Sequence, residues 1–133
     1  MNRKAARENA FILVFEKYFR DETVDCIIKD AIEARDFEYD DYVEQVFCGV
    51  FENIESIDNT ITENLRGWKI NRLSKVSLAL MRVAIYEMQF IDEVPISVSI
   101  NEAVELAKKY STKDDASYIN GVLGSIAKSI ESR

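Results

Sequence analysis

Histidine is absent from this chain of 133 residues. That removes the usual general base at neutral pH, and with it Ser-His-Asp and Cys-His nucleophilic catalysis and every Cys/His zinc site built from this chain alone. The two cysteines, Cys26 and Cys48, are too far apart for a C-x-x-C motif and read as small core residues, kept reduced in the cytoplasm. One proline and four glycines leave little turn chemistry for a sheet-rich fold and favour helices with short connections. No apolar run is long enough to cross a bilayer, and the start, MNRKAARENA, has no signal-peptide core, so the expected compartment is the cytoplasm. No glycine-rich phosphate loop and no nucleophile–base pair can be assembled from these motifs, so no enzyme acting alone, no cofactor and no metal are expected.

What is present is a chain that is 47% hydrophobic and 31% charged, the balance of a globular domain and enough residues for a real core. The net charge of −7 is unevenly distributed. Residues 1–20 carry five bases against two acids, residues 21–65 two against fourteen, and residues 66–133 ten against eight. A basic patch can therefore act locally on an acidic protein, because physiological salt screens each patch beyond about 8–10 Å.

The organising stretch is Ser74–Phe90, SKVSLALMRVAIYEMQF, apolar on every side of a helical wheel from Val76 to Ile85. A helix of that kind in a small protein has to be surrounded by other helices. Arg82 and Glu87 interrupt it and must find partners or reach an edge; structural tethering is the favoured reading. Before it, a first helix is expected over Arg3–Phe19 on the stripe Phe11, Val14, Phe15, Tyr18, and a second over Glu22–Arg35. A long third helix, capped by Asp40 or Asp41, follows the seam Val43, Phe47, Val50, Ile54, Ile57, Ile61, Leu65 and stops at Gly67.

Arg3, Lys4 and Arg7 share the face of the first stripe one to three turns earlier, which places them past the body, facing either solvent or a ligand. Between Arg66 and Arg82 lie five bases and no acid, with Trp68 among them; plugging a gap between helices is preferred for Trp68 over holding nucleic acid. After Pro95 a helix should run to about Lys109 on Val98, Ala103, Val104 and Ala107. Thr112-x-x-Asp115 then opens the last helix, with a stripe of Ile119, Val122, Leu123, Ile126 and Ile130. Gly121 and Gly124 inside that helix suggest close approach of a backbone or a ligand. The fold class is therefore all-α. About seven helices form two small three- to four-helix halves, residues 1–66 and 67–133, of one domain around the central helix.

Several segments in order and spacing resemble the bacterial transcription antitermination factor NusB family. They are Ala5–Ala10 (AARENA), Leu80–Glu87 (LMRVAIYE), Val94-Pro95-Ile96, Ile100–Lys108 (INEAVELAK) and Tyr118–Leu123 (YINGVL). The resemblance implies an all-helical protein that pairs with NusE, a small-subunit ribosomal protein. It implies binding of a short single-stranded RNA element, boxA, in ribosomal RNA leaders, and read-through of terminators by RNA polymerase with other Nus factors. It puts RNA contacts on Arg3, Lys4 and Arg7 in an N-terminal arm and on Asp114 and Tyr118 at the last helix. It puts the NusE contact on Phe15, where some relatives carry Tyr, and on Glu87. Cations tracking phosphates and a ring stacking on a base are what single-stranded RNA requires. A protein-interaction module without RNA, and the helical domain of a ribosomal RNA methyltransferase, are the alternatives. Monomer and homodimer both stay open.

Overall fold

The computed structural model describes residues 1–65, 67 and 69–131. Among these residues there are seven α-helices, one 3₁₀ turn and no strand. The helices are α1 (Arg3–Lys17), α2 (Val24–Ala34), α3 (Asp41–Glu52), α4 (Ile54–Asn64), α5 (Lys75–Phe90), α6 (Ile96–Tyr110) and α7 (Lys113–Glu131), with the 3₁₀ turn at Ile70–Arg72 before α5. None is long and apolar enough to cross a membrane.

Five of the other six helices pack on α5. Ser77 to Met81 and Val83 to Met88 are buried, and α1, α3, α4, α6 and α7 all pack on it. Ser74 starts it, its hydroxyl oxygen accepting the Ser77 N–H at 3.1 Å. Both charges inside it find partners. Arg82 donates through Nε and Nη2 to the two carboxylate oxygens of Asp58 on α4, each at 2.9 Å, and Glu87 receives Arg7 from α1. These tethers tie the central helix to opposite neighbours.

The continuous third helix expected from the seam is two helices. Val43, Phe47, Val50, Ile57 and Ile61 are all fully buried, so the seam itself holds. At Asn53 the backbone leaves the helical region (φ −117°, ψ 23°), and the Asn53 side-chain amide and N–H both donate to the Gly49 carbonyl, at 2.8 and 3.1 Å. The bend lets α3 lie on α1 while α4 turns onto α5 and α7. A straight rod could not reach both surfaces.

Three smaller expectations also change. The helix before Gly67 ends at Asn64, so Gly67 is a left-handed residue (φ +78°) of the following turn and not the cap itself. Val98 is exposed; the inner face of α6 is Ser99, Ala103, Leu106 and Ala107. Nothing lies within 4 Å of where a Cβ would stand at Gly121 or Gly124, so neither marks a close approach. That role belongs to Gly49, where a Cβ would run into the Tyr86 ring of α5. Arg66 and Trp68 lie outside the described residues.

Candidate nucleic-acid interface

Two helix starts face each other at one end of the molecule. The 3₁₀ turn and Ser74 lead into α5, while Ser111 and Thr112 lead into α7. The Thr112 hydroxyl oxygen accepts the Asp115 N–H at 3.0 Å, and the Ser111 hydroxyl donates to the Asp115 carboxylate, which fixes the first turn of α7. Between the two starts lies a cavity of about 230 Å³ lined by Arg72, Leu73, Ser74, Ser77, Asp114, Asp115 and Tyr118. Arg72 is exposed at its edge and the Tyr118 ring is half-buried. The Tyr118 hydroxyl is buried with no hydrogen-bond partner among the described residues.

Chemically the cavity offers one cation, one ring face and two carboxylates. A ring half in solvent can stack on a nucleobase, and a guanidinium beside it can meet a phosphate. Carboxylates repel phosphate but accept N–H donors on a base edge. Asp114 and Tyr118, singled out from the sequence, are therefore brought together. Arg72 and Ser77 were not singled out. The only signal for Arg72 was its place in the basic run, and Ser77 had none.

A second surface adjoins this cavity and shares Leu73 and Ser74 with it. Phe15, Tyr18, Phe19, Lys75, Val76 and Ser111 line it. Phe15 and Phe19 meet edge to face with ring centres 5.1 Å apart, and the Lys75 ammonium stands 5.1 and 5.0 Å from the Tyr18 and Phe19 rings. Phe19 is 60% exposed and Tyr18 46%. Exposed rings gathered on one side of a small protein, with a lysine over them, have the composition of a protein–protein contact.

The N-terminal arm is arranged differently from the sequence expectation. Arg3 and Lys4 are exposed, Arg3 with its guanidinium 3.9 Å from the centre of the Tyr42 ring and Lys4 3.7 Å from Glu102 of α6. Arg7 instead points inward and is 4% exposed. Its Nε donates to both carboxylate oxygens of Glu87 at 2.8 and 2.9 Å, and the Tyr42 hydroxyl donates to the same carboxylate. Glu87 has no exposed surface.

In this arrangement Arg7 is not offered to RNA, nor Glu87 to a protein partner; each satisfies the other. The physical reason is that α1 packs lengthwise on α3 and α5, so its second turn is already inside the body. Burial opposes the Arg7 charge, but the hydrogen bond and attraction of Glu87 outweigh it and raise the guanidinium above its ordinary value. Burial, and then the bond to Glu87, pushes the Tyr42 hydroxyl up as well.

The arm and the Tyr118 cavity are separate places on the molecule. They are joined along α6, which side chains of α1 reach: Lys4 meets Glu102, Glu8 takes Lys109, and the Phe11 ring meets Tyr110 at a tilt just before α7 begins. Eight residues of helical rise separate Glu102 from Tyr110, about 12 Å. Phe15 lies on the aromatic surface, beside the cavity and not in it.

Five helices packed on the buried α5, with a ring-and-cation cavity beside an exposed aromatic surface, define an all-α helical bundle. Among the described residues no group of three or more cysteines and carboxylates could hold a metal ion. The NusB family model matches residues 4–128, and the chain belongs to the NusB family. It is 45% identical over 130 residues to the transcription antitermination protein NusB of Acetivibrio thermocellus, covering 96% of this chain and 90% of that one. It is 43% identical over 127 residues to the NusB of Listeria innocua, covering 96% and 97%. Among solved structures it is similar to T. maritima NusB (TM-score 0.84, 34% identity, 96% of this chain and 92% of that one). It is also similar to a chain in the crystal structure of antitermination factors NusB and NusE in complex with dsRNA (TM-score 0.85, 28% identity, 96% of each chain).

Proposed function

We propose that this protein is a non-enzymatic, cytoplasmic RNA-binding adaptor. It holds boxA single-stranded RNA together with NusE, and within an elongation complex with other Nus factors it lets RNA polymerase read through terminators, notably in ribosomal RNA operons. The observation that carries this reading is the cavity between the starts of α5 and α7, where Tyr118, Arg72 and Asp114 converge. In this reading a base stacks on Tyr118, Arg72 takes an adjoining phosphate, and Asp114 or Asp115 accepts from the base edge. Arg3 and Lys4 meet the strand further along. The aromatic surface of Phe15, Tyr18 and Phe19 receives NusE, close enough to the cavity for protein and RNA to share a boundary. A related NusB solved with NusE and dsRNA supports pairing of this kind.

A single ring and a few cations predict modest affinity for the protein alone, so NusE should supply the remainder. The test is a titration of labelled boxA RNA with and without purified NusE, with the same sequence annealed to its complement as competitor. Tight binding only with NusE, and preference for the single strand, are expected. Indifference to NusE, or equal binding of the duplex, would overturn the reading. Phe19→Ala should weaken NusE binding while leaving whatever RNA binding the protein shows alone.

A further inference from the structure

The arm and the Tyr118 cavity lie at two ends of one edge of the molecule, and a second aromatic ring stands between them. Tyr110 is the last residue of α6, 41% exposed, and its neighbours hold it in place. Phe11 packs against it with ring centres 5.2 Å apart at 54°, and its hydroxyl donates to Glu8 at 3.3 Å. Lys109 is anchored to the same carboxylate at 2.7 and 3.0 Å, and its ammonium stands 5.3 Å from the Tyr110 ring centre. An exposed ring with a buried ring behind it and a fixed hydroxyl loses little freedom when something stacks on it.

Resting on the RNA reading above, we propose that Tyr110 is a second base-stacking position. It carries the strand from the Tyr118 cavity along α6 toward Lys4 and Arg3. RNA is favoured here over a protein segment because Tyr110 stands on α6 between Glu102, where Lys4 is held, and the start of α7, whose first turn lines the Tyr118 cavity. Its backing ring Phe11 also reaches Phe15 of the aromatic surface, with ring centres 6.3 Å apart, so NusE binding is measured alongside. The edge around it is close to neutral, since Glu8, Glu102 and Glu105 sit beside Lys109, Lys4 and Lys108. Attraction at this point therefore comes from the ring more than from charge.

The experiment uses the full chain with NusE and two single-stranded RNAs. One is just long enough to fill the Tyr118 cavity; the other is extended by several nucleotides, in separate versions at the 5′ and 3′ ends. One extended version should bind wild type more tightly than the short RNA. Tyr110→Leu, which keeps apolar cover over Phe11, should lower that affinity about tenfold or more, leave the short RNA unchanged and leave the salt slope nearly unchanged. Tyr110→Phe should restore it. If wild type binds both lengths equally, or Tyr110→Leu weakens both lengths alike or neither, the stacking position does not exist. Loss of NusE binding in Tyr110→Leu would assign the ring to the protein partner and overturn it too. Failure of wild type to bind RNA of any length would instead remove the reading on which it rests.

Discussion

Arg7 and Glu87 show how much one residue's environment can reverse its meaning. Both are charged and both sit in segments that resemble the family, yet they face each other in the interior with Tyr42. Breaking a buried pair leaves an uncompensated charge, at a cost of about 3–5 kcal/mol. Glu87→Gln should therefore lower stability to that extent in urea unfolding. The double change Arg7→Met with Glu87→Leu should recover most of the loss, because a well-packed apolar pair removes both desolvation costs. A loss near zero for Glu87→Gln would mean the pair is not a tether.

Tyr42 gives a pH dependence of definite sign. Its folded value is raised by burial and then by the bond to Glu87, and that of Tyr39 is raised by burial and then by Cys48 and Glu44 nearby. Raised values favour the neutral phenol in the fold. Their contribution is thus complete below the unfolded tyrosine value of about 10 and is lost as pH rises beyond it. Unfolding followed by circular dichroism should set in on the alkaline side above about pH 10. Tyr42→Phe should flatten the stability–pH curve there.

At the scale of elements, three helical glycines with the same local chemistry have different consequences. Gly121 and Gly124 lie in α7 with open space at the Cβ position, whereas Gly49 lies in α3 against the Tyr86 ring. Alanine is the better helix former by roughly 1 kcal/mol where nothing is displaced. Gly121→Ala should therefore raise the melting temperature. Gly49→Ala forces Tyr86 aside and should cost about 1–3 kcal/mol, as overpacking does. Equal effects from the two variants in thermal unfolding would contradict this account of α3 on α5. The bend at Asn53 belongs to this scale too. Helix propensity and the apolar seam ran through it unbroken, and only the need of α3 and α4 to lie on different neighbours breaks the rod.

For the whole molecule, charge is divided unevenly along the chain. Nine of the fourteen acids of residues 21–65 lie on α2, α3 and α4, while Arg3, Lys4 and Arg72 belong to α1 and to the turn before α5. Three phosphates neutralised on a single strand give a salt slope of only about −2. Arg72→Ala should make the slope of RNA binding with NusE shallower by about 0.7. Tyr118→Ala should cost about 1–3 kcal/mol of affinity at unchanged slope. A steep change of slope in the tyrosine variant would contradict stacking.

The chain's periodicities determined most of this by themselves. The all-apolar stretch had to be central, the stripes of α1, α2 and α7 gave those helices within a few residues, and Thr112-x-x-Asp115 marked a helix start that the structure contains. Asp114 and Tyr118 came only from the family resemblance, and one helical turn between them accounts for their meeting in the cavity. Arg72, Ser77 and Tyr110 were not legible, since they come from other elements. Nor did the wheel of α1 show that Arg7 turns inward while Lys4 stays out, because a helical wheel gives the angle of a side chain and not the neighbour standing at that angle. Only the packing of α1 on α3 and α5 supplies that neighbour, with Tyr42 and Glu87 waiting there, and so decides which cations stay at the surface.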